Sequence, residues 1–378
     1  MASSPALPSD LSFEILTRAS LDTLARCRVL SKQWNRMTYD SRFIDQLCER
    51  TKTTCGVFIQ GLSKNKYSSM FVPVADNNAN SNSEPLSLRF LPHPVKIEAA
   101  HTGILVCVGR NSRNIPQYYV CKPTTKEWEQ IHNPKTRYMT EHTSLMVLRS
   151  NPLRYKIVRF SRPKCPCSKL FYNLRCEVYD SETRAWKQLN NVALPNGIFL
   201  SFKPAVSACG ALHWLLSDNR VFAFHAYEEN WETFALPCRT STDSESYKHN
   251  VNKVVEYQGR LAWVCEQGED LMELWVMEDY KNKVWSRRRV IRMIGLDLST
   301  SLGTLCSNDV VLMRGFYRIV FYKLEDYSSK VAKLEGIPSP DEFFMLQSDS
   351  EPSDLRGPLK SSISNVKMVS RSSKELLS

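Results

Sequence analysis

The 378-residue sequence has no long hydrophobic run, and this absence excludes several classes of protein. A membrane-spanning helix needs roughly 20 predominantly apolar residues in succession, and no segment approaches that length. No apolar stretch follows a basic region at the N-terminus, so we expect no signal peptide and an intracellular protein of the nucleus, the cytoplasm or both. Glycine and proline, with 13 and 19 residues, are too few for a fibrous or low-complexity chain.

The sequence also lacks the short motifs that carry catalysis. Its seven histidines show no HxH or HExxH spacing, and neither a GxSxG elbow nor a P-loop occurs. One CxC pair, Cys165 and Cys167, has no second pair at zinc-site spacing, and Cys176 is a poor match. We therefore expect no enzyme, no metal site and no cofactor, although residues distant in sequence can still assemble a site.

Positive charge is what the sequence has in excess. Lysine and arginine number 50 against 39 acidic residues, which gives a net charge of +11. A basic balance is typical of proteins that bind nucleic acid or anionic membranes. The basic residues are scattered, however, and the densest run is only Arg287-Arg288-Arg289. Nucleic-acid binding therefore stays an alternative, less favoured than a solvated basic surface.

Residues 7–50 have the hydrophobic period of helices, after a predicted flexible tail at 1–6. Their apolar residues recur three or four positions apart, and polar residues that can cap helices precede each group. Three or four helices are predicted, with caps at Ser9 or Asp10, Ser20, Ser31, and Asp40 or Ser41. About 45 residues are too few for a self-sufficient core, so we expect this unit to pack on a partner or a neighbouring domain.

From Lys52 onward the hydrophobic period changes to two. Short apolar runs such as GILVCVG, YKIVRF and ALHWLL alternate with turn residues, which predicts strands across residues 53–338. Polar stretches at 75–85 and 238–250 predict surface loops, and the Ser- and Lys-rich segment 346–378 predicts a disordered tail. The fold class is therefore mainly β, with a small α-helical N-terminal domain.

An imperfect repeat runs through the β region. An apolar strand, a polar turn, a tryptophan and a second strand recur at intervals of 45 to 58 residues, around Trp128, Trp186, Trp231 and Trp285. A Gly-x-Leu strand precedes three of these copies, beginning at Gly103, Gly210 and Gly259. Such periods are typical of β-propeller blades, whose radial stacking buries both faces of each sheet. We expect about six blades with the repeat tryptophans in the core; the alternative is a β-sandwich with incidental tryptophan spacing.

Two known families resemble the two regions. Residues 7–50 resemble an F-box in the phrases LPSDLSFEILTR, LARCRVLSKQWN and DSRFIDQL, and depart from it at Ala19-Ser20, where Leu-Pro is common. Residues 53–338 resemble the F-box-associated domain of plant F-box proteins, a relative of kelch-type propellers, in EVYDSETRAWKQL, GALHWLL and LWVMEDYKNKVWSRRRVI. The resemblance implies an F-box three-helix unit followed by a β-propeller-like domain of about six blades.

This resemblance also implies a function. The protein would be the substrate-recognition subunit of a Skp-adaptor, cullin and F-box ubiquitin ligase, holding a target protein for ubiquitination through its β domain. A protein-binding scaffold outside the ligase is the alternative. The apolar positions that match the family's contact or core positions, and so are assigned to adaptor binding, are Leu7, Pro8, Leu11, Ile15, Leu16, Leu24, Leu30 and Trp34.

The target-binding residues are harder to predict. Loops at one face of a propeller axis commonly bind partners, because loops vary while strands hold them in place. Most exposed side chains contribute little to binding, so plain surface is the competing interpretation for each candidate. The candidates are polar or aromatic residues near the predicted loops: His101, Arg110, Tyr138, His142, Arg162, Arg239 and Arg314.

Overall fold

A computed structural model of the chain describes residues 7–74, 86–163, 171–237, 252–266, 271–293 and 301–355. Several sequence predictions lie outside these residues. They are the flexible tail at 1–6, the loops at 75–85 and 238–250, the Cys165 and Cys167 pair, the candidate Arg239 and residues 356–378.

The N-terminal unit contains four helices, one more than the three that the resemblance implies. They are α1 (Ser9–Leu16), α2 (Leu21–Leu30), α3 (Lys32–Thr38) and α4 (Ser41–Arg50). The side chains of Ser20, Ser31 and Asp40 accept hydrogen bonds from first-turn N–H groups, as predicted. Helix α1 instead has Pro8 at its N-cap and no side-chain cap, because the proline ring carries no hydrogen-bond acceptor.

The interior of this helical unit is small. Four buried side chains form it: Leu16, Leu24, Phe43 and Leu47. Phe13 closes one side with its ring edge-on to Phe43, at 5.5 Å between centroids. An interior of this size gives little stability by itself, so the packing of the unit on the β domain adds to it.

Six antiparallel sheets follow, arranged as the blades of a propeller. Blade 1 combines both ends of the domain: β1 (Thr54–Ser63), β2 (Lys66–Pro73) and β24 (Glu342–Ser348). Blade 2 contains β3 (Val95–His101), β4 (Ile104–Arg110), β5 (Pro116–Lys122) and β6 (Glu127–Ile131). Blade 3 contains β7 (Met139–Arg149), β8 (Arg154–Arg162), β9 (Phe171–Asp180), β10 (Ala185–Gln188) and β11 (Val192–Pro195).

The remaining blades have four strands each. Blade 4 contains β12 (Val206–Ala208), β13 (Ala211–Leu215), β14 (Arg220–His225) and β15 (Asn230–Ala235). Blade 5 contains β16 (Asn252–Tyr257), β17 (Arg260–Glu266), β18 (Leu271–Asp279) and β19 (Val284–Arg292). Blade 6 contains β20 (Ser301–Leu305), β21 (Val310–Gly315), β22 (Arg318–Lys323) and β23 (Ser329–Lys333). The prediction of about six blades is confirmed, and the sandwich alternative is wrong.

Strand β24 closes the ring. It pairs with β1 from Thr54↔Ser348 to Gln60↔Glu342, so that the first and last strands share one sheet. Its Phe344 and Leu346 lie in the core between blades 1 and 2, and Leu355 is buried against blades 2 and 3. The predicted disordered tail is therefore wrong for residues 346–355, and the predicted domain end at residue 338 precedes the closing strand. A single alternating run was too little to distinguish this strand from the polar segment behind it.

The Gly-x-Leu signal has a backbone explanation. In the hairpin between the first two strands of blades 2, 4 and 5, two adjacent residues both have positive φ: Thr102-Gly103, Cys209-Gly210 and Gln258-Gly259. This is the type I′ geometry that matches strand twist, and glycine adopts it without the steric cost of a Cβ. The repeat in the sequence thus marks the same tight turn in three blades.

The repeat tryptophans do not form the core, and that prediction is wrong. They lie on the fourth strand of their blades, where Trp128 is 42% exposed and Trp231 is 36% exposed. Three of the four contact an aromatic ring of the neighbouring strand, as Trp128 does edge-on to Tyr119 at 5.7 Å between centroids. The fourth strand is the outer edge of a blade and has a neighbour on one side only, so a large ring there remains half-exposed.

Closure by β24 predicts different costs for two adjacent residues. Replacing the buried Phe344 with alanine should lower the free energy of unfolding by about 3–5 kcal/mol, because it leaves a cavity between blades. Met345→Ala on the exposed side of the same strand is the control, with an expected change within about 0.5 kcal/mol. Urea denaturation of both variants checks this, and equal losses would contradict the closing role of β24.

Candidate functional site

The central channel has two ends that differ in their surroundings. Its walls are the first strands of the blades, namely β24, β3, β7, β12, β16 and β20. We call the end beside the helical unit the proximal face; the hairpins at 101–104, 208–211, 257–260 and 305–310 lie there. The opposite end is the distal face, where those wall strands begin and where the hairpins at 110–116 and 315–318 lie.

The helical unit is fixed on the proximal face by hydrogen bonds to blade 6. The backbone N–H of Ser41 donates to Oδ1 of the buried Asp309 at 3.1 Å, and the Ser41 hydroxyl donates to Oδ2. Asn308 donates its N–H to the carbonyl of Tyr39 at 2.9 Å and its side-chain amide to the carbonyl of Arg36 at 2.8 Å. The end of α3 and the start of α4 are thus held on one hairpin of the propeller.

Tyr39 completes this attachment. Its ring packs under the Arg28 guanidinium, 4.2 Å from the centroid, and it lines the proximal part of the channel. Burial raises the pKa of Tyr39 above its usual range, and the nearby Glu256 carboxylate raises it further. The Tyr39 phenol is therefore neutral at physiological pH.

Several apolar residues of the helical unit remain uncovered by the propeller. Leu11 is 47% exposed and Leu30 is 77% exposed, although both belong to amphipathic helices. The other uncovered members are Leu7, Pro8, Ile15 and Val29. Exposed apolar groups of this kind mark a surface for another protein. We call these six residues the helical-unit surface.

Three of the predicted adaptor contacts are placed differently. Leu16 and Leu24 are fully inside the helical unit, and Trp34 is half-buried against that interior. Their side chains pack toward Phe43 and Leu47 of α4. They therefore lie beneath the helical-unit surface and not on it. The sequence analysis missed Val29. It lies beside Leu30 at the end of α2, on a different side of the helix from the buried Leu24.

The distal face carries a second group of exposed apolar residues. Phe202, at 72% exposed, packs on Phe199 with 6.1 Å between ring centroids, in the segment that leads into β12. Phe316 and Tyr317 contact each other at 4.7 Å on the β21–β22 hairpin. Other exposed members at this face are Leu62, Tyr67, Ile115 and Met139. Their number on one face indicates a second protein-binding surface.

Charged residues gather where the channel opens at this face. Lys203 donates to the carbonyl of Asp341 at 3.0 Å. Arg314 donates Nε to Ser301 Oγ at 2.7 Å and lies 3.3 Å from the Asp341 carboxylate. Lys253 donates to the Gly303 carbonyl. We call Lys203, Lys253 and Arg314 the distal cations.

The channel behind these cations is a cavity of about 630 Å³. Lys203, Lys253 and Phe343 line it toward the distal face, and Tyr39 lines it toward the helical unit. Burial, together with the positive charges of Lys203 and Arg314, lowers the pKa of Lys253 to about 7. Burial also lowers the pKa of Lys203. Both amines are therefore less strongly protonated than an exposed lysine.

The two predicted histidines make structural contacts inside the propeller. His101 accepts the Val147 N–H at Nδ1 at 2.7 Å, and its Nε2 lies 3.1 Å from Ser207 Oγ. His142 is buried with its ring against Trp214. Burial lowers the pKa of each to about 4, so both are neutral at physiological pH. Their prediction as target-binding residues is not supported by this environment.

Tyr138 and the predicted arginines that the structure describes, Arg110, Arg162 and Arg314, lie at the distal face. Arg314 belongs to the distal cations, whereas Arg110 bonds its own hairpin and Arg162 pairs with Glu141 at 3.0 Å. Tyr138 is half-buried beneath the Arg175 guanidinium. Lys203 and Lys253 were missed in the sequence. The signal for Lys253 was a charged residue at the start of an apolar strand, whereas nothing local marked Lys203.

The basic run that suggested nucleic-acid binding is largely neutralised. Arg287 lies 2.9 Å from Glu273 on the adjacent strand, Arg288 pairs with Glu278, and Arg289 donates to the Asn308 carbonyl. Among the described residues, no three His, Cys, Asp or Glu side chains form a metal-binding group. Across the same part of the chain, no helix combines the length and hydropathy needed to cross a bilayer.

Comparison with known proteins identifies relatives of both regions. Residues 57–353 match the family described as F-box associated beta propeller domain, and residues 5–45 match the F-box domain. F-box protein At5g41720 of Arabidopsis thaliana is 40% identical over 171 residues, which cover 43% of this chain and 89% of that protein. F-box protein At5g49610 of the same plant is 25% identical over 289 residues, covering 74% and 77%. The kelch relationship stays a prediction.

Among solved structures, TolB from Acinetobacter baumannii is similar to this chain. It has a TM-score of 0.45 and 12% identity, and the match covers 84% of this chain and 73% of TolB.

The attachment of the helical unit predicts a specific effect for Asp309→Ala. The change leaves the Ser41 N–H and hydroxyl without their acceptor and should cost about 1–3 kcal/mol of stability. Because the junction loosens, trypsin should cleave faster after Arg36 and Arg42 on the docked helices. Asp326→Ala, which removes a carboxylate from an exposed turn of the same blade, is the control. Identical proteolysis of the two variants would contradict the docking role of Asp309.

Half-burial of Lys253 predicts a gain in stability when its charge is removed. Its folded pKa lies below that of the unfolded chain, so folding releases its proton and is opposed most strongly below about pH 7. Lys253→Met should therefore raise the melting temperature, with a larger gain at pH 6 than at pH 10. Calorimetry of the variant and the unsubstituted chain at both pH values measures this difference. A loss of stability at pH 6 would show that the amine is well accommodated.

Proposed function

Because this chain belongs to the F-box proteins that carry an F-box associated beta propeller domain, we propose that it is the substrate-recognition subunit of a Skp-adaptor, cullin and F-box ubiquitin ligase. One observation carries the proposal. The helical unit is docked on the propeller through α3 and α4, yet Leu7, Leu11 and Leu30 remain exposed. A side chain of this size contributes roughly 1.5–3 kcal/mol when a partner buries it.

The adaptor binds the helical-unit surface and links the chain to the cullin. The target protein binds the distal face, at the other end of the channel from the helices. Hydrogen bonds from Asn308 and Asp309 to the helical unit fix the two surfaces relative to each other. A bound target is then held near the transferring enzyme at high effective concentration, which accelerates transfer without any new chemistry.

Ubiquitin transfer itself is carried out by the partner proteins in this proposal, and the chain is a non-catalytic receptor without a cofactor. It acts in the nucleus, the cytoplasm or both, wherever the adaptor and the cullin are present. Which target protein it delivers is decided by the side chains of the distal face.

A protein-binding scaffold outside the ligase is the second candidate. The exposed aromatic residues of the distal face favour it as much as they favour a receptor, since they require only a protein partner. The receptor and the scaffold differ in whether a cullin is bound. For a receptor, affinity purification from plant cells with the proteasome inhibited should recover adaptor, cullin and target together. Recovery of target with adaptor but without cullin favours the scaffold.

The adaptor contact is tested by a triple substitution. Changing Leu7, Pro8 and Leu11 to alanine should abolish capture of a purified Skp-type adaptor, since the exposed apolar area at the start of α1 is removed. The matched control changes Leu62, Phe202 and Phe316 to alanine on the distal face, and it should bind the adaptor normally. Both are measured by pull-down with the full chain, after circular dichroism shows native folding. Undiminished capture by the first variant rejects the assigned surface.

A further inference from the structure

Among the residues that the structure describes, the distal opening of the channel has more positive than negative charge. Three cations lie there, Lys203, Lys253 and Arg314, and among the described residues only Arg314 pairs with a carboxylate, that of Asp341. Lys203 donates to the backbone carbonyl of Asp341, which carries no net charge. The other acidic groups nearby are already occupied, because Lys96 lies 3.4 Å from Glu98 and 3.7 Å from Glu342. A site with this balance attracts an anion.

Lys253 is the most informative of the three. Its ammonium donates to the Gly303 carbonyl and lies 5.4 Å from the centroid of the Phe343 ring. Among the described residues no carboxylate lies within ion-pair distance of it, while Lys203 and Arg314 repel its charge. An ammonium has three donors, so Lys253 retains donors for a ligand. Enclosing an amine without a counter-ion opposes folding, and a bound anion would offset that cost.

The geometry of Arg314 decides between two anions. A phosphate group is best recognised by an arginine that presents both edges of its fork. Arg314 already donates Nε to Ser301 and Nη1 toward Asp341, so two of the donors of its fork are engaged within the protein. The two lysines act as point charges and require no planar fork. This arrangement favours a carboxylate over a phosphate.

The surroundings decide between a peptide and a small free anion. Phe202 directly precedes Lys203 in the chain and is exposed beside Phe199. Exposed rings at the edge of a charged opening provide apolar contact for residues that flank the anionic group. A small anion would leave these rings uncovered, whereas an extended peptide would cover them.

We propose that the distal cations bind a carboxylate side chain within an acidic, aromatic-containing segment of the target polypeptide. This inference rests on the proposed function, since it names the chemistry that the receptor recognises. Lys203 and Lys253 supply the charge, Arg314 positions Asp341 and sets the local field, and Phe199 and Phe202 contact the flanking apolar residues.

The test uses the full chain in complex with a purified Skp-type adaptor and pools of short fluorescent peptides. All pools share one phenylalanine and are otherwise randomised, and they differ only in two fixed central residues: two glutamates, two glutamines or two phosphoserines. Fluorescence anisotropy at physiological salt should show binding of the glutamate pool and weak binding of the glutamine pool. Inorganic phosphate at the same ionic strength should compete poorly.

Variants then assign the site. Lys253→Met and Lys203→Met should each weaken binding of the glutamate pool roughly tenfold or more, because each removes a charge-assisted hydrogen bond. Lys281→Met, at an exposed turn of the proximal face, is the matched control and should bind normally. Phe202→Ala should weaken binding of the glutamate and glutamine pools by the same factor. Melting curves establish that each variant is folded.

Three results overturn the proposal. Equal affinity for the glutamate and glutamine pools would remove the role of charge. Preference for the phosphoserine pool, or strong competition by free phosphate, would replace the carboxylate with a phosphate. Loss of binding in Lys281→Met to the same extent as in Lys253→Met would mean nonspecific attraction to a basic protein. Adaptor capture is measured on the same preparations, so a failure of the proposed function is seen separately from a failure of peptide recognition.

Discussion

The pairing of β24 with β1 is the constraint on which the rest of the structure depends. A six-bladed ring has no end only if its first and last strands share a sheet, and the seven paired positions from Thr54↔Ser348 to Gln60↔Glu342 provide this. The same strand places Phe343 in the channel wall and follows directly after Asp341, which also lines the channel. The strand that closes the ring therefore also forms part of the distal opening.

The helical unit depends in turn on the propeller, through a smaller contact. Its interior of four side chains is completed on one side by the propeller, where Asp309 and Asn308 hold α3 and α4. This docking leaves the start of α1 and the end of α2 uncovered, with Leu11 and Leu30 outward. An isolated F-box would have both sides available to partners, whereas here the propeller occupies one of them and restricts the adaptor to the other.

The sequence allowed the architecture to be predicted well because its signals are local. Helix caps at Ser20 and Ser31 and the hairpin glycines each report a backbone geometry within a few residues. The errors concern long-range facts: the pairing of β24 depends on a strand nearly 290 positions earlier in the chain, and the exposure of Trp128 depends on which strand forms a blade edge. The distal cations were predicted only in part, because Lys203, Lys253 and Arg314 come from three blades and meet only in the closed ring.

The order of the strands has a consequence for protein synthesis. The ribosome produces the helical unit first and β24 last, so the segment that binds the adaptor is complete long before the ring can close. A chain that ends prematurely, upstream of residue 342, retains the adaptor-facing helices but has an unclosed ring without its recognition opening. If the chain acts as the proposed receptor, such a product would occupy adaptor molecules without delivering a target, and would lower ubiquitination by competition instead of by simple absence.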